Sequence, residues 1–67
     1  MRIDLEALYI AIAKSKNTQR SIAEKAGLDK SHLSKIMNGI TTPTAKTVMK
    51  ISEALEIPIE TIIKEMK

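Results

Sequence analysis

The 67-residue sequence has no cysteine, tryptophan or phenylalanine, a single tyrosine, and only two glycines and two prolines. Without cysteine there is no disulfide and no thiolate metal site. The one histidine, His32, cannot build a zinc site alone. With Tyr9 as the sole aromatic residue, single-stranded nucleic acid would lack its usual stacking platform. No apolar run approaches the length of a membrane span or a signal-peptide core, so a soluble, cytoplasmic chain with no membrane partner is expected. There is also no glycine-rich phosphate loop, no thiol nucleophile and no acid pair beside the histidine. The expectation is therefore no enzyme activity, no cofactor and no metal. A chain this short makes one domain, residues 1–67, with a marginal core that depends on aliphatic packing and, in one reading, on a second copy.

What is present centres on residues 18–39. Thr18 can cap a helix, after which Ile22, Ala23 and Ala26 fall on one face at helical spacing. Gly27 follows at the point where a chain leaving a helix often turns left-handed. Leu28 then reads as a buried plug, and Asp29 as a second cap whose charge suits a helix N-terminus. Leu33, Ile36 and Met37 form the apolar stripe of the next helix, which Asn38-Gly39 ends. Two short helices joined by a tight, glycine-containing turn constitute a helix-turn-helix, here at 18–38.

The charge is distributed to match. The chain carries a net +3. Lys14, Lys16, Arg20, Lys25, Lys30, Lys35, Lys46 and Lys50 face only Glu24 and Asp29 between residues 14 and 50, whereas the two ends together are acidic. A basic block that coincides with the helix-turn-helix suits a phosphate-binding face, although lysine-rich solvated surfaces are common.

Around this centre, Leu5, Leu8, Tyr9 and Ile12 predict a first helix from Asp4 to about Lys14 packed on the core. Ile40-Thr41-Thr42-Pro43 reads as a loop, and either Thr42 or Thr44 caps a helix over about Ala45 to Leu55 that buries Val48, Ile51, Ala54 and Leu55. Ile57-Pro58 breaks it, and Pro58 suits the first turn of a last helix reaching Glu65. There Ile59, Ile62, Ile63 and Met66 repeat at helical spacing. These four residues either complete the core or form a dimer interface, and the sequence leaves both open.

Thr18-Gln19, Ile22-Ala23, Ala26-Gly27-Leu28, Leu33-Ser34, Ile36 and Asn38-Gly39 resemble the Cro/CI-type (XRE) helix-turn-helix of phage repressors, and Pro43-Thr44, Val48, Ile51 and Leu55 extend the likeness over nearly the whole chain. The resemblance implies an all-α, compact five-helix bundle of the lambda-repressor-like DNA-binding type. It departs from the family at two places. Ile12 and Met37 stand where many relatives carry an Arg–Glu ion pair, which suggests an apolar Ile12–Met37 contact in its place. Asn17 stands where relatives place an apolar residue before the Thr.

In such a motif the second helix enters the major groove with its N-terminal residues at base edges. Its outward positions are Lys30, Ser31, Ser34 and Lys35. Lysine can donate to guanine O6 and N7, and serine can serve either partner. The resemblance places Lys30, Ser31 and Lys35 at base-reading positions. Ser31 and Lys35 are favoured for base contact, and Lys30 stays open between base, phosphate and solvent. His32 projects sideways and reads as a backbone neighbour or a surface residue rather than a switch. Gln19 opens the preceding helix, where N–H groups meet phosphate, and also matches a near-standard family glutamine. Asn38 and Thr41 match family phosphate contacts, with Arg20, Thr44 and Lys46 as flanking candidates.

The implied function is sequence-specific binding of double-stranded DNA by a transcriptional regulator of repressor type. The resemblance is to a Cro-like or small stand-alone regulator of a phage or mobile element, acting as a homodimer on a palindromic operator. The alternative is an antitoxin that binds a protein partner and represses its own operon.

Overall fold

Asp4, Thr18 and Thr44 each turn a side-chain oxygen back onto the backbone, and at each of them a helix begins. The Ala7 N–H donates to Asp4 Oδ1 at 3.1 Å, the Ser21 N–H to Thr18 Oγ1 at 3.0 Å and the Thr47 N–H to Thr44 Oγ1 at 3.2 Å. Each bond satisfies one of the donors that a helix start leaves orphaned. The computed structural model describes residues 2–65. In order these form β1 (Arg2–Ile3), α1 (Leu5–Ser15), α2 (Gln19–Ala26), α3 (Lys30–Met37), α4 (Ala45–Leu55), a 3₁₀ turn (Ile59–Ile62) and β2 (Ile63–Glu65). Thr44, not Thr42, caps α4.

The helices end by one device. Behind α2, the Gly27 N–H donates to the Glu24 carbonyl and the Leu28 N–H to the Ala23 carbonyl, the paired bonds of a Schellman motif. Gly39 and Ile40 repeat it on Ile36 and Lys35 behind α3, and Glu56 and Ile57 repeat it on Glu53 and Ser52 behind α4. Behind α1 the inner bond runs from Lys16 to Ala13, while the Ser15 hydroxyl relays the outer one: it donates to the Ile12 carbonyl at 2.7 Å and accepts from the Asn17 N–H at 3.3 Å. The motif needs a left-handed residue. Gly27 and Gly39 supply it without strain, but Lys16 and Glu56, with φ of 62° and 58°, adopt it at a cost.

One contiguous core joins the elements. Leu8 and Ile12 of α1 meet Ile22 and Ala23 of α2, Leu33, Ile36 and Met37 of α3, Val48, Ile51 and Leu55 of α4, and Ile62 and Ile63. These are the stripes that helical spacing predicts, with Ala54 and Leu28 only half-buried at the margin. Leu28 is thus a partial plug rather than a buried one. Ser52, absent from the expected stripe, is buried as well, and its hydroxyl donates to the Met49 carbonyl at 2.8 Å. Ile12 and Met37 both lie in this core, as the loss of a charged pair at these positions requires. Tyr9 sits at its edge, 45% exposed, with its hydroxyl donating to the Met37 carbonyl at 3.3 Å.

The expected fifth helix does not form, so the described residues contain four α-helices. After Pro58 the chain makes only the short 3₁₀ turn and then extends into β2, which pairs antiparallel with β1. Arg2 faces Glu65 and Ile3 faces Ile63, so Lys64 is the extra residue of a bulge. The physical reason lies in composition and length. Ile57, Ile59, Thr61, Ile62 and Ile63 are all β-branched, which disfavours a helix and favours a pleated strand. So short a segment gains little from helix propagation, whereas β1 offers ready partners for its backbone. The Asp4 N–H donates to the Ile62 carbonyl at 2.8 Å, which locks the ribbon to the start of α1. Met66, part of the expected stripe, lies outside the described residues.

Two stability measurements test this account. At Gly27 an added Cβ would meet nothing within 4 Å, so Gly27→Ala carries only the left-handed backbone cost and should destabilise by about 1–2 kcal/mol in urea unfolding. Glu56→Gly should instead be neutral or stabilising, because strain is relieved there. A double-mutant cycle of Ile12→Ala and Met37→Ala should show non-additivity of at least about 0.5 kcal/mol, the signature of side chains that share a packing environment.

Candidate nucleic-acid interface

The α2–α3 turn occupies three residues. Gly27, at φ 73°, reverses the chain, half-buried Leu28 packs against the core, and Asp29 leads into α3 in an extended conformation. Asp29 holds the N-cap position, yet its carboxylate accepts no backbone bond; the Leu33 N–H reaches its carbonyl instead. The expected side-chain cap is therefore absent, and Asp29 acts by charge alone. Buried Ile22, Ala23 and Ala26 of α2 and Leu33, Ile36 and Met37 of α3 fix the rotation of both helices.

That rotation leaves the other side of α3 outward. Lys30, Ser31 and Lys35 are exposed and Ser34 is half-buried. Lys30 with Ser34, and Ser31 with Lys35, are four residues apart and share a face. The Ser34 hydroxyl already accepts a bond from Asn38 Nδ2 at 3.3 Å, which ties it to the residue that ends α3. Thr41 is drawn to the same end, its N–H approaching the Lys35 carbonyl at 3.4 Å. Ser34, Lys35, Asn38 and Thr41 are thus gathered at the C-terminal half of α3. His32 is half-buried on its flank.

The remaining candidates stand apart from this group. Gln19, half-buried, and Arg20, exposed, open α2; Thr44 and Lys46, both exposed, open α4. The Thr44 hydroxyl is engaged locally, accepting from the Thr47 N–H and donating to Thr47 Oγ1 at 3.1 Å. Its side chain is a cap first. All eight basic residues between Lys14 and Lys50 are exposed, so the positive segment is a surface and not a set of buried pairs. Ile62 and Ile63 are buried in the protomer's own core and Ile59 is partly buried against it. Ile62 and Ile63 therefore leave little surface for a second copy, because the turn and ribbon point them inward.

Two features escaped the sequence pattern. Asn17 replaces an apolar contact with a polar hub: its Oδ1 accepts from Ser21 Oγ at 3.1 Å and Lys25 Nζ at 3.3 Å, while its Nδ2 donates to Ser15 Oγ at 3.2 Å. The signal was the run of Ser15, Asn17 and Ser21 at spacings that allow such bonds. Ile40, directly after α3, is 72% exposed. Its apolar character at a position that usually packs on the helix end was the available cue.

Among the described residues no helix is long and apolar enough to cross a membrane. No curated protein matches the chain in sequence. A solved structure, the restriction-modification controller protein C.AhdI from Aeromonas hydrophila, is similar in fold, with a TM-score of 0.81 over 85% of this chain and 86% of that one at 21% identity. A family model described as Helix-turn-helix matches residues 8–62, from the middle of α1 to the end of the 3₁₀ turn. With that match over most of its length and with this turn geometry, the chain belongs to the XRE-type helix-turn-helix family of DNA-binding transcription regulators.

Proposed function

We propose that the 67 residues act as one helix-turn-helix unit, in the cytoplasm or nucleoid, and repress transcription by reading an operator in the major groove with α3. The observation that carries this reading is the outer face of α3, where Lys30, Ser31 and Lys35 are exposed on a helix whose opposite side is locked into the core. Ser31 and Lys35 read base edges, while Lys30 and Ser34 complete the face. Gln19, Arg20, Asn38, Thr41, Thr44 and Lys46 contact phosphates and set the register. The exposed lysines supply the salt-dependent part of the affinity. A similar structure that is named as a controller protein is in keeping with a regulatory role.

A protomer of this size spans one half-site. Two copies on a palindrome, with half-sites roughly 34 Å apart, would double the contacts in the way that repressor operators are usually read. Ile62 and Ile63 are interior, so those two side chains offer little area for joining the copies.

Selection from a random duplex DNA pool at moderate salt should enrich a palindrome with half-sites about one turn apart. Sequence-blind enrichment would overturn the reading and favour the antitoxin alternative with a protein partner. On the selected operator, Lys35→Ala should lose about 1–3 kcal/mol and relax one symmetric position, as removal of a base contact does. Lys46→Ala should weaken every sequence alike and lower the slope of log affinity against log salt by about 1 per protomer, which separates a phosphate contact from a base contact.

A further inference from the structure

We infer that the outer face of α1 is a self-complementary surface on which a second copy of this chain docks antiparallel. The inference rests on the two-copy reading above and names its interface. Ile10 is 49% exposed although it lies in the middle of α1. It is two residues from Leu8 and two from Ile12, about 160° round the helix from each. Since those two are buried, Ile10 points away from the core.

Ile10 borders a groove of about 360 Å³. Ala7 and Ala11 of α1 form one wall of it, and Leu55, Ile57 and Thr61 form the other. Ile10 stands beside the small Ala7 and Ala11, with Lys14 and Ser15 at the end of the same groove, so the surface carries a projecting apolar side chain next to a recess. An interface with two-fold symmetry requires a self-complementary patch, and here Ile10 would meet its own symmetry mate with Ala7 and Ala11 leaving room on either side.

The flanking charges obey the same symmetry. Glu6 lies four residues before Ile10 and Lys14 four residues after it, and both are exposed. Eight residues separate them by about 12 Å along the axis, too far to pair within one helix. An antiparallel partner with its two-fold axis at Ile10 brings Glu6 of each copy beside Lys14 of the other, which forms two equivalent ion pairs. A parallel partner would set like charges side by side. The pattern thus specifies orientation as well as partner, as flanking charges do in paired helices.

The size of the surface sets the strength. Eleven residues of helix rise about 16 Å, so the face falls below the roughly 800 Å² per partner of a standard stable interface. The dimer is weak in free solution and tightens when two half-sites hold two copies together.

Sedimentation equilibrium of the full chain from micromolar to millimolar concentration tests this, with circular dichroism melts to check that each variant folds. Ile10→Asp, Glu6→Lys and Lys14→Glu should each weaken self-association about tenfold or more while the melt still shows a folded helix bundle. An equimolar mixture of E6K with K14E should associate again, because each mixed pair restores opposite charges across the two-fold. The double variant E6K/K14E should regain wild-type association for the same reason. A dimer that survives Ile10→Asp, or a mixture that stays as dissociated as its components, would overturn the α1 interface and leave the DNA reading intact. A wild-type chain monomeric at millimolar concentration, both free and on the selected operator, would overturn the interface and the two-copy reading together. Retained half-site binding by Lys35 would then still stand as a separate result.

Discussion

The turn at Gly27 fixes where α3 lies, because two backbone bonds and one left-handed residue determine how the chain leaves α2. With the Gly27 and Leu28 N–H groups tied to Glu24 and Ala23, the next segment has one direction available. Burial of Leu33, Ile36 and Met37 then sets the rotation of α3 about its own axis. Direction and rotation together leave Lys30, Ser31 and Lys35 outward. None of these side chains needs a partner within the protein to hold its place; their positions follow from what is buried behind them. A surface meant for an external ligand is more dependable when backbone geometry positions it than when its own polar atoms do.

The same closure recurs behind the other helices, but its cost is distributed unevenly. Glycine occupies the left-handed position on both sides of α3, whereas Lys16 and Glu56 occupy it at the ends of α1 and α4. The strained positions flank the scaffold and the relaxed ones flank α3. A second fixed point lies at Asp4, whose side chain caps α1 and whose N–H holds the Ile62 carbonyl. Through that residue the 3₁₀ turn that leads into the β ribbon is joined to the first helix. Tyr9 then ties α1 to the last carbonyl of α3. The end of α3 is therefore held from its own helix, from the following turn and from α1.

The four helices were legible because each has an apolar face of period 3.6, and α2, α3 and α4 also meet a stop signal at Gly27, Asn38-Gly39 and Ile57-Pro58. α4 runs from Ala45 to Leu55, the range that its period and the Thr44 and Pro58 signals imply. The last segment was not legible for two physical reasons. Ile59, Ile62 and Ile63 suit a helical face and a turn followed by a strand equally well. What decides between them is pairing with Arg2 and Ile3, some sixty residues away, and periodicity carries no information about a partner so distant. The outward positions of α3 were legible, since burial of one side of a helix exposes the other. The commitments of individual hydroxyls and amides were not. Ser34 is bound to Asn38, Thr44 to Thr47, and Asn17 to Ser21 and Lys25, all through bonds that depend on rotamers rather than spacing alone.

Those commitments bear on how so small a protein discriminates among sequences. A side chain that is already ordered gives up less conformational freedom on binding than a free one. Ser34 and Asn38 meet that condition, whereas the exposed lysines do not and, on the proposed reading, would be ordered only by the DNA. Lysine contacts alone attract any duplex, and each side chain they order costs freedom. On the proposed reading, the outer face of α3 would offer one half-site only a few short polar groups and two flexible cations. Linking two half-sites adds their discrimination while the second binding event draws on an effective concentration, not a bulk one. A weak protein–protein contact suits that arrangement better than a strong one. If the free dimer were tight, occupancy would follow protein concentration to the first power; with a weak dimer it follows the square. On the proposed reading, the modest size of the α1 face and the few outward side chains of α3 would serve one end, in which neither half recognises DNA well alone and the pair recognises it steeply.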